Sequence, residues 1–237
     1  MKGAMAALPA DVPSGGLSQR VMSAIVLIPP VIAAVHFGSP YFEIMILVGA
    51  ILVAWEWNGL CSRATDGRTL WRLAGAAAIV LPCLALIWLR QGTAGRDAIL
   101  WLFLVVWAAD TGAYAAGRAI GGPKLAPAIS PKKTWSGLFG ALVASGLAGL
   151  AAAMLLSGQT SSPALVLGTV LGAISQAGDL AESWVKRRFG VKDTSGLIPG
   201  HGGLMDRIDG LFAAALAIAA FEIAAAWTGR GRVLAWL

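Results

Sequence analysis

The sequence predicts an all-α, polytopic integral membrane protein: seven transmembrane helices, with polar cytoplasmic loops that form the site. Three observations predict it. Only 13% of the 237 residues are charged, where a soluble domain carries about 25%. Hydrophobic residues make up 57% of the chain, and mean hydropathy is +0.74. The apolar residues fall in seven runs, each of the ~17–20 residues that cross a hydrocarbon core of roughly 30 Å as a helix.

The first sixteen residues, MKGAMAALPADVPSGG, mix Pro, Gly and Asp and hold no apolar stretch of useful length. They do not read as a secretory signal. Residues 1–20 are expected to form a mobile cytoplasmic tail, ahead of a single transmembrane catalytic domain over 21–237.

The spans are expected at Val21 to Gly38, Tyr41 to Leu60, Leu73 to Leu89, Ala98 to Gly117, Gly137 to Leu156, Ala164 to Ala181 and Gly210 to Trp227. The short link after the first implies an antiparallel hairpin, and Pro29 with Pro30 predicts a bend. Seven spans sort the loops onto two faces. One face carries Arg90, Arg96, Arg230 and Arg232; the other carries the remaining 14 of the 18 basic residues. The positive-inside rule puts the richer face in the cytoplasm. The net charge of +6 therefore reports loop asymmetry, and no nucleic-acid partner is expected. Cys61 and Cys83 lie in or beside apolar runs without metal-ligand spacing, and read as small buried hydrophobes.

Charged residues inside spans mark places where the sequence accepts an insertion cost of about 2.5–3.5 kcal/mol. Asp110, in VVWAADTGAYAAGRAIGG, is the clearest. Its small neighbours let helices approach closely, and the residue fits either a site role or a structural hydrogen bond. Glu43, Glu56 and Glu222 read as structural or snorkelling groups. Asp179 opens a stripe with Glu182, Ser183 and Lys186, all on one face where the sixth span ends. Such hard oxygen ligands suit magnesium, which binds few carboxylates and shares phosphate oxygens.

The stretch from Ser183 to Gly210 reads SWVKRRFGVKDTSGLIPGHGGLMDRIDG. It supplies Lys186, Arg187, Arg188 and Lys192, then a glycine-rich turn in which Gly200, Gly202 and Gly203 permit positive φ. Asp206 and Asp209 follow at the start of the last span, where a helix N-terminus favours anions. The other long loop of that face, KLAPAISPKKTWSG, adds Lys132 and Lys133. Cations for phosphate, carboxylates for a metal and a pliable backbone together fit phosphoryl or nucleotidyl transfer at a membrane surface.

These residues resemble the signature of the phosphatidate cytidylyltransferase, or CDP-diacylglycerol synthase, family. The run from Ser183 to Asp209 carries the likeness without a gap, and WAADTGAYAAGR, ISPKKTW and SQAGDLAES extend it in the same order. Residues before Trp101 match only as generic spans. The resemblance implies transfer from CTP to phosphatidic acid, with magnesium, in a multi-pass protein of the bacterial inner membrane that pairs as a homodimer. It places the metal on Asp179 and Asp206. Ser183 matches a family serine, the family site can also hold a potassium ion beside magnesium, and Asp209 and Ser183 are expected as supporting ligands.

Lys132, Lys133, Lys186, Arg187, Lys192 and Arg207 are candidates for phosphate contacts, with Lys186 and Lys133 expected closest to the chemistry. Asp110 orients a cation or lines the polar cavity, and His201 meets a phosphate or fixes the turn. The chain departs from the family in having Ser136 where SPKKTWEG has glutamate, and in showing seven spans rather than nine.

Two other readings compete on residues alone. A phosphotransferase using a CDP-alcohol would need an Arg-bearing DGxxAR pattern, and Asp209-Gly210 is followed by Leu-Phe-Ala. A transporter using Asp110 and Asp179 as an ion path would more naturally show inverted repeats or broken helices.

Overall fold

A computed structural model describes residues 17–158, 161–198, 202–229 and 231–237. Seven helices follow the expected apolar runs: α1 (Leu17–Phe37), α2 (Tyr41–Cys61), α3 (Arg68–Gln91), α4 (Gly95–Ala119), α5 (Trp135–Ser157), α6 (Ser162–Arg188) and α7 (Met205–Trp227). Six of them, α2 to α7, are long and apolar enough to cross a membrane. The described apolar part of α1, Ile25–Phe37, is shorter. The α1 helix begins four residues before the expected span and stays helical through Pro29 and Pro30. Residues 1–16 of the expected tail lie outside the described residues.

The helices overrun the apolar runs, and the overrun matters most in α6 and α7. The α6 helix continues to Arg188, which carries Asp179, Glu182, Ser183 and Lys186 on helical backbone. The α7 helix begins at Met205, so Asp206 and Asp209 sit in its first turns. Polar residues prolong a helix readily where it leaves the hydrocarbon, because water replaces lipid around their side chains.

Packing is closest where side chains are smallest. A Cβ added to Gly112 in α4 would stand 2.5 Å from the carbonyl oxygen of Gly140 in α5, and one added to Gly140 would stand 2.5 Å from that of Gly112. The two backbones touch directly, as the small residues around Asp110 predict. Trp101 in α4 is fully buried, and its indole N–H donates to the Gly149 carbonyl of α5 at 2.8 Å. The main apolar core runs through Trp101, Leu102, Val105, Leu171 and Ile218, joining α4, α6 and α7.

The α4–α5 loop holds an element the sequence reading missed. Strands β1 (Lys124–Ala126) and β2 (Ser130–Thr134) form an antiparallel hairpin, with Lys124 opposite Thr134 and Ala126 opposite Ser130. Pro127 occupies the turn, closed by the Ile129 N–H on the Ala126 carbonyl at 3.1 Å, a place suited to its fixed φ. Thr134 then caps α5, accepting from the Gly137 N–H at 3.1 Å.

At the far end of α7, Glu222 is buried and accepts from the N–H groups of Val233 and Leu234 at 3.1 and 2.9 Å. It is structural, as expected. The chain after α7 thus folds back onto the bundle, with Leu234 buried and Trp236 edge-on to Trp101.

Candidate active site

The end of α4, the hairpin, the end of α6 and the start of α7 meet around one cavity of about 990 Å³. One wall is apolar, with Leu27, Ile28 and Val31 of α1 beside Trp107 and Leu138. The other presents Asp110, Lys132, Lys133, Gln176, Asp179, Asp206, Arg207 and Asp209. Tyr114 and Arg118 also line it, joined by a 2.9 Å hydrogen bond from the guanidinium to the phenol oxygen.

A continuous polar chain crosses this wall. Lys133 reaches from β2 to Asp179 Oδ2 at 2.7 Å and donates to Gln176 Oε1 at 3.1 Å. Gln176 donates in turn to Asp110 Oδ1 at 3.0 Å. Ser183 donates to Asp179 Oδ1 at 3.3 Å. Gln176 and Asp179 sit one turn apart on α6 and face α4 and the hairpin together. Asp110 is the exposed, cavity-facing end of the chain. Its carboxylate, and that of Asp209, lies within electrostatic reach of Asp179. One side of the cavity is therefore densely acidic, and Lys133 partly balances it.

Asp206 is held differently. Its carboxylate is nearly enclosed, with 3% of the side chain exposed. It takes Lys186 Nζ at 2.8 Å, the Thr194 N–H at 3.1 Å and the Gly203 N–H at 2.8 Å. Lys186 also pairs with Glu182. The result is a buried Glu182–Lys186–Asp206 cluster beneath the glycine turn. In that turn Gly202 has φ of +86°, a conformation glycine adopts without strain. Ile198 and Gly202 exchange backbone hydrogen bonds of 2.8 and 3.1 Å.

The structure thus brings together Asp110, Lys132, Lys133, Asp179, Asp206, Arg207 and Asp209. It does not bring Lys186, Arg187 or Lys192 to the cavity lining. Lys186 is engaged by two carboxylates. Arg187 turns to the backbone carbonyls of Ile129 and Val191, both at 3.1 Å, and so ties α6 to the hairpin loop. Lys192 is exposed. Ser183 touches Asp179 without lining the cavity. His201 and Gly200 lie outside the described residues.

The N-terminus of α7 also differs from expectation. Its leading N–H groups do not await an external anion, because Glu56 and Asp206 already accept from Gly203, Leu204 and Met205. Sequence reasoning missed Glu56, Gln176, Arg118 and Tyr114 as site neighbours. For Gln176 a signal existed: it lies three residues before Asp179, on the stripe's own face.

The donors suit a hard cation that takes few protein ligands. Among the described residues no three of His, Cys, Asp and Glu converge into a closed metal cage. The acidic wall faces the cavity, and its donors are carboxylate oxygens. A magnesium ion, which keeps waters and shares phosphate oxygens, fits such a half-built site. Asp179 and Asp209 present carboxylates to the cavity, and Asp206 adjoins them.

A profile of the cytidylyltransferase family matches residues 64–224. The chain belongs to the cytidylyltransferase family. Every cavity residue described above except those of α1 falls within the stretch matched to that family. The chain is 47% identical over 167 residues to the phosphatidate cytidylyltransferase of Brucella suis biovar 1 (strain 1330), an alignment covering 70% of this chain and 59% of that protein. It is 33% identical over 211 residues to the phosphatidate cytidylyltransferase of Rickettsia bellii (strain RML369-C), covering 86% and 90%. A third cytidylyltransferase relative, from Rickettsia felis (strain ATCC VR-1525 / URRWXCal2), is 34% identical over 200 residues, covering 81% and 86%. The chain thus spans 59% of the length of the Brucella relative and nearly all of the Rickettsia one.

Proposed function

We propose that this protein transfers the cytidylyl group of CTP to phosphatidic acid, releasing pyrophosphate and forming CDP-diacylglycerol for phospholipid synthesis. The observation that carries this reading is the cavity's two-sided character. An apolar wall continuous with the helix bundle suits acyl chains, and a wall of lysines and carboxylates suits phosphates and a metal. Membership of the cytidylyltransferase family and the names of its relatives support the same choice. The asymmetry of basic residues supports a site at the cytoplasmic face of the inner membrane, where CTP is available and the lipid phosphate lies at the interface.

In the reaction a phosphate oxygen of phosphatidate attacks the α-phosphorus of CTP. The new P–O bond forms as the bond to the bridging oxygen breaks, and the electron pair leaves with pyrophosphate. The attacking group is already an anion, so no strong general base is required. What hinders the reaction is repulsion among phosphates, and fixed positive charge at the site lowers it. Lys132, Lys133 and Arg207 line the cavity for this task. Asp179, with Asp206 and Asp209, would hold magnesium, which when bound neutralises phosphate charge and makes pyrophosphate a better leaving group. Gln176 and Asp110 keep Lys133 and Asp179 in register.

The test is product formation by purified protein in detergent–phosphatidate micelles with CTP and magnesium. CDP-diacylglycerol and pyrophosphate in equal amounts, abolished by Asp179→Asn in a protein that stays folded, are the expected result. No product from folded wild-type protein would refute the proposal.

A further inference from the structure

Glu56 lies in α2, outside the cavity lining and before the stretch matched to the family. Its residue is 2% exposed. A carboxylate so enclosed requires donors, and four groups from one loop supply them. The N–H of Leu204 donates to Oε1 at 2.9 Å and that of Met205 to Oε2 at 2.8 Å. The hydroxyls of Ser195 and Thr194 donate as well.

Two separate points of the segment between α6 and α7, Thr194–Ser195 and Leu204–Met205, are thereby gathered on one side chain. Thr194 is also bound to Asp206 through its backbone N–H. A Cβ on Gly203 would come within 2.8 Å of Glu56 Oε1, so glycine there lets the backbone close over the carboxylate. Beneath it, Val53, Trp57, Leu60 and Cys61 pack with Val185, Phe189, Val191, Leu204 and Met205.

We propose that Glu56 is a positioning residue: an anion built into α2 that fixes the first turn of α7 and so aims Asp206 and Asp209 at the cavity. The inference rests on the proposed function for its kinetic consequence but not for its structural one. The N–H groups of Leu204 and Met205 would otherwise be open donors at a helix start. Glu56 satisfies both, and its charge complements the α7 dipole. The pose of Asp206 and Asp209 then depends on a side chain that touches neither.

The test uses the full-length protein in detergent, as Glu56→Gln and Ser195→Ala. Glutamine keeps the volume but turns an amide N–H₂ toward one of the two backbone donors, whereas Ser195→Ala removes one donor and leaves the carboxylate. Amide exchange across residues 202–206 is expected to rise at least about tenfold in Glu56→Gln, with α5 unchanged. Ser195→Ala should show a smaller rise at the same amides. In cytidylyl transfer, Glu56→Gln should lower kcat about tenfold or more and raise the magnesium needed for half-maximal rate. Its KM for phosphatidate should stay within about twofold, since a misaimed metal site leaves the lipid wall intact.

Unchanged exchange at Leu204 and Met205 in Glu56→Gln would overturn the proposal. So would raised exchange with unaltered kcat and magnesium dependence. If Glu56→Gln loosens α5 as well, Ser195→Ala decides, and absence of a local rise there overturns it. If the wild-type protein transfers no cytidylyl group, the functional reading fails, while exchange still reports whether Glu56 holds the loop.

Discussion

Lys133 Nζ stands 2.7 Å from Asp179 Oδ2, joining the hairpin to α6 across the mouth of the cavity. The lysine side chain is 18% exposed and the aspartate 35%, so the pair is partly wet and its net effect on stability is small. Its importance is positional. It brings a cation and a metal-type carboxylate to the same place without locking either.

Lys133→Met should therefore leave the fold intact and remove a charge from the cavity wall where the proposed reaction would bring phosphates. The expected loss in kcat is about 10²–10³-fold. A thermal midpoint within a few degrees of wild type, measured on the same sample, would confirm that the loss is not unfolding.

Lys132 and Lys192 provide a matched comparison, because both are exposed lysines but only Lys132 lines the cavity. Lys132→Ala should raise KM for CTP about tenfold or more, the scale of a lost charge-assisted contact. Lys192→Ala should change it less than about twofold. Steady-state kinetics over a CTP series separates the two.

Gly140→Ala places its Cβ against the Gly112 carbonyl at 2.5 Å, so α4 and α5 must separate. A destabilisation of about 1–3 kcal/mol is expected, the usual result of overpacking. Gly59→Ala in α2 meets nothing within 4 Å and should be neutral or stabilising by about 0.5–1 kcal/mol. Thermal unfolding in detergent reads both.

Glu222→Ala should free the residues after α7. Two backbone N–H groups lose their acceptor, at a cost of about 1–3 kcal/mol. Faster amide exchange over residues 231–237 with cytidylyl transfer unchanged is the expected pattern.

The spans were legible because a run of apolar residues long enough to cross a bilayer has few alternatives. Asp110, Asp179, Asp206 and Asp209 were legible for the complementary reason: a carboxylate in or beside such a run needs a purpose. Lys186 was harder. It belongs to a basic run that looks like a phosphate grip, yet its partners are Glu182, one turn back, and Asp206, brought alongside by the fold.

The hairpin was hidden by Pro127 and Pro131, which weaken any strand signal even though one suits a turn and the other an outer strand. Glu56 read as a structural or snorkelling group, but its partners could not be assigned. Two of its donors are backbone N–H groups 148 and 149 residues away, and a backbone donor leaves no mark in the sequence.

That separation has a consequence for how the chain is made. Synthesis runs from the N-terminus, so α2 is in place long before α7 exists. Through that interval the carboxylate of Glu56 has none of the four donors it will finally hold. The early helices thus carry an unmet demand that is met in full only when the loop after α6 and the first turn of α7 arrive, and that arrival also completes the acidic wall.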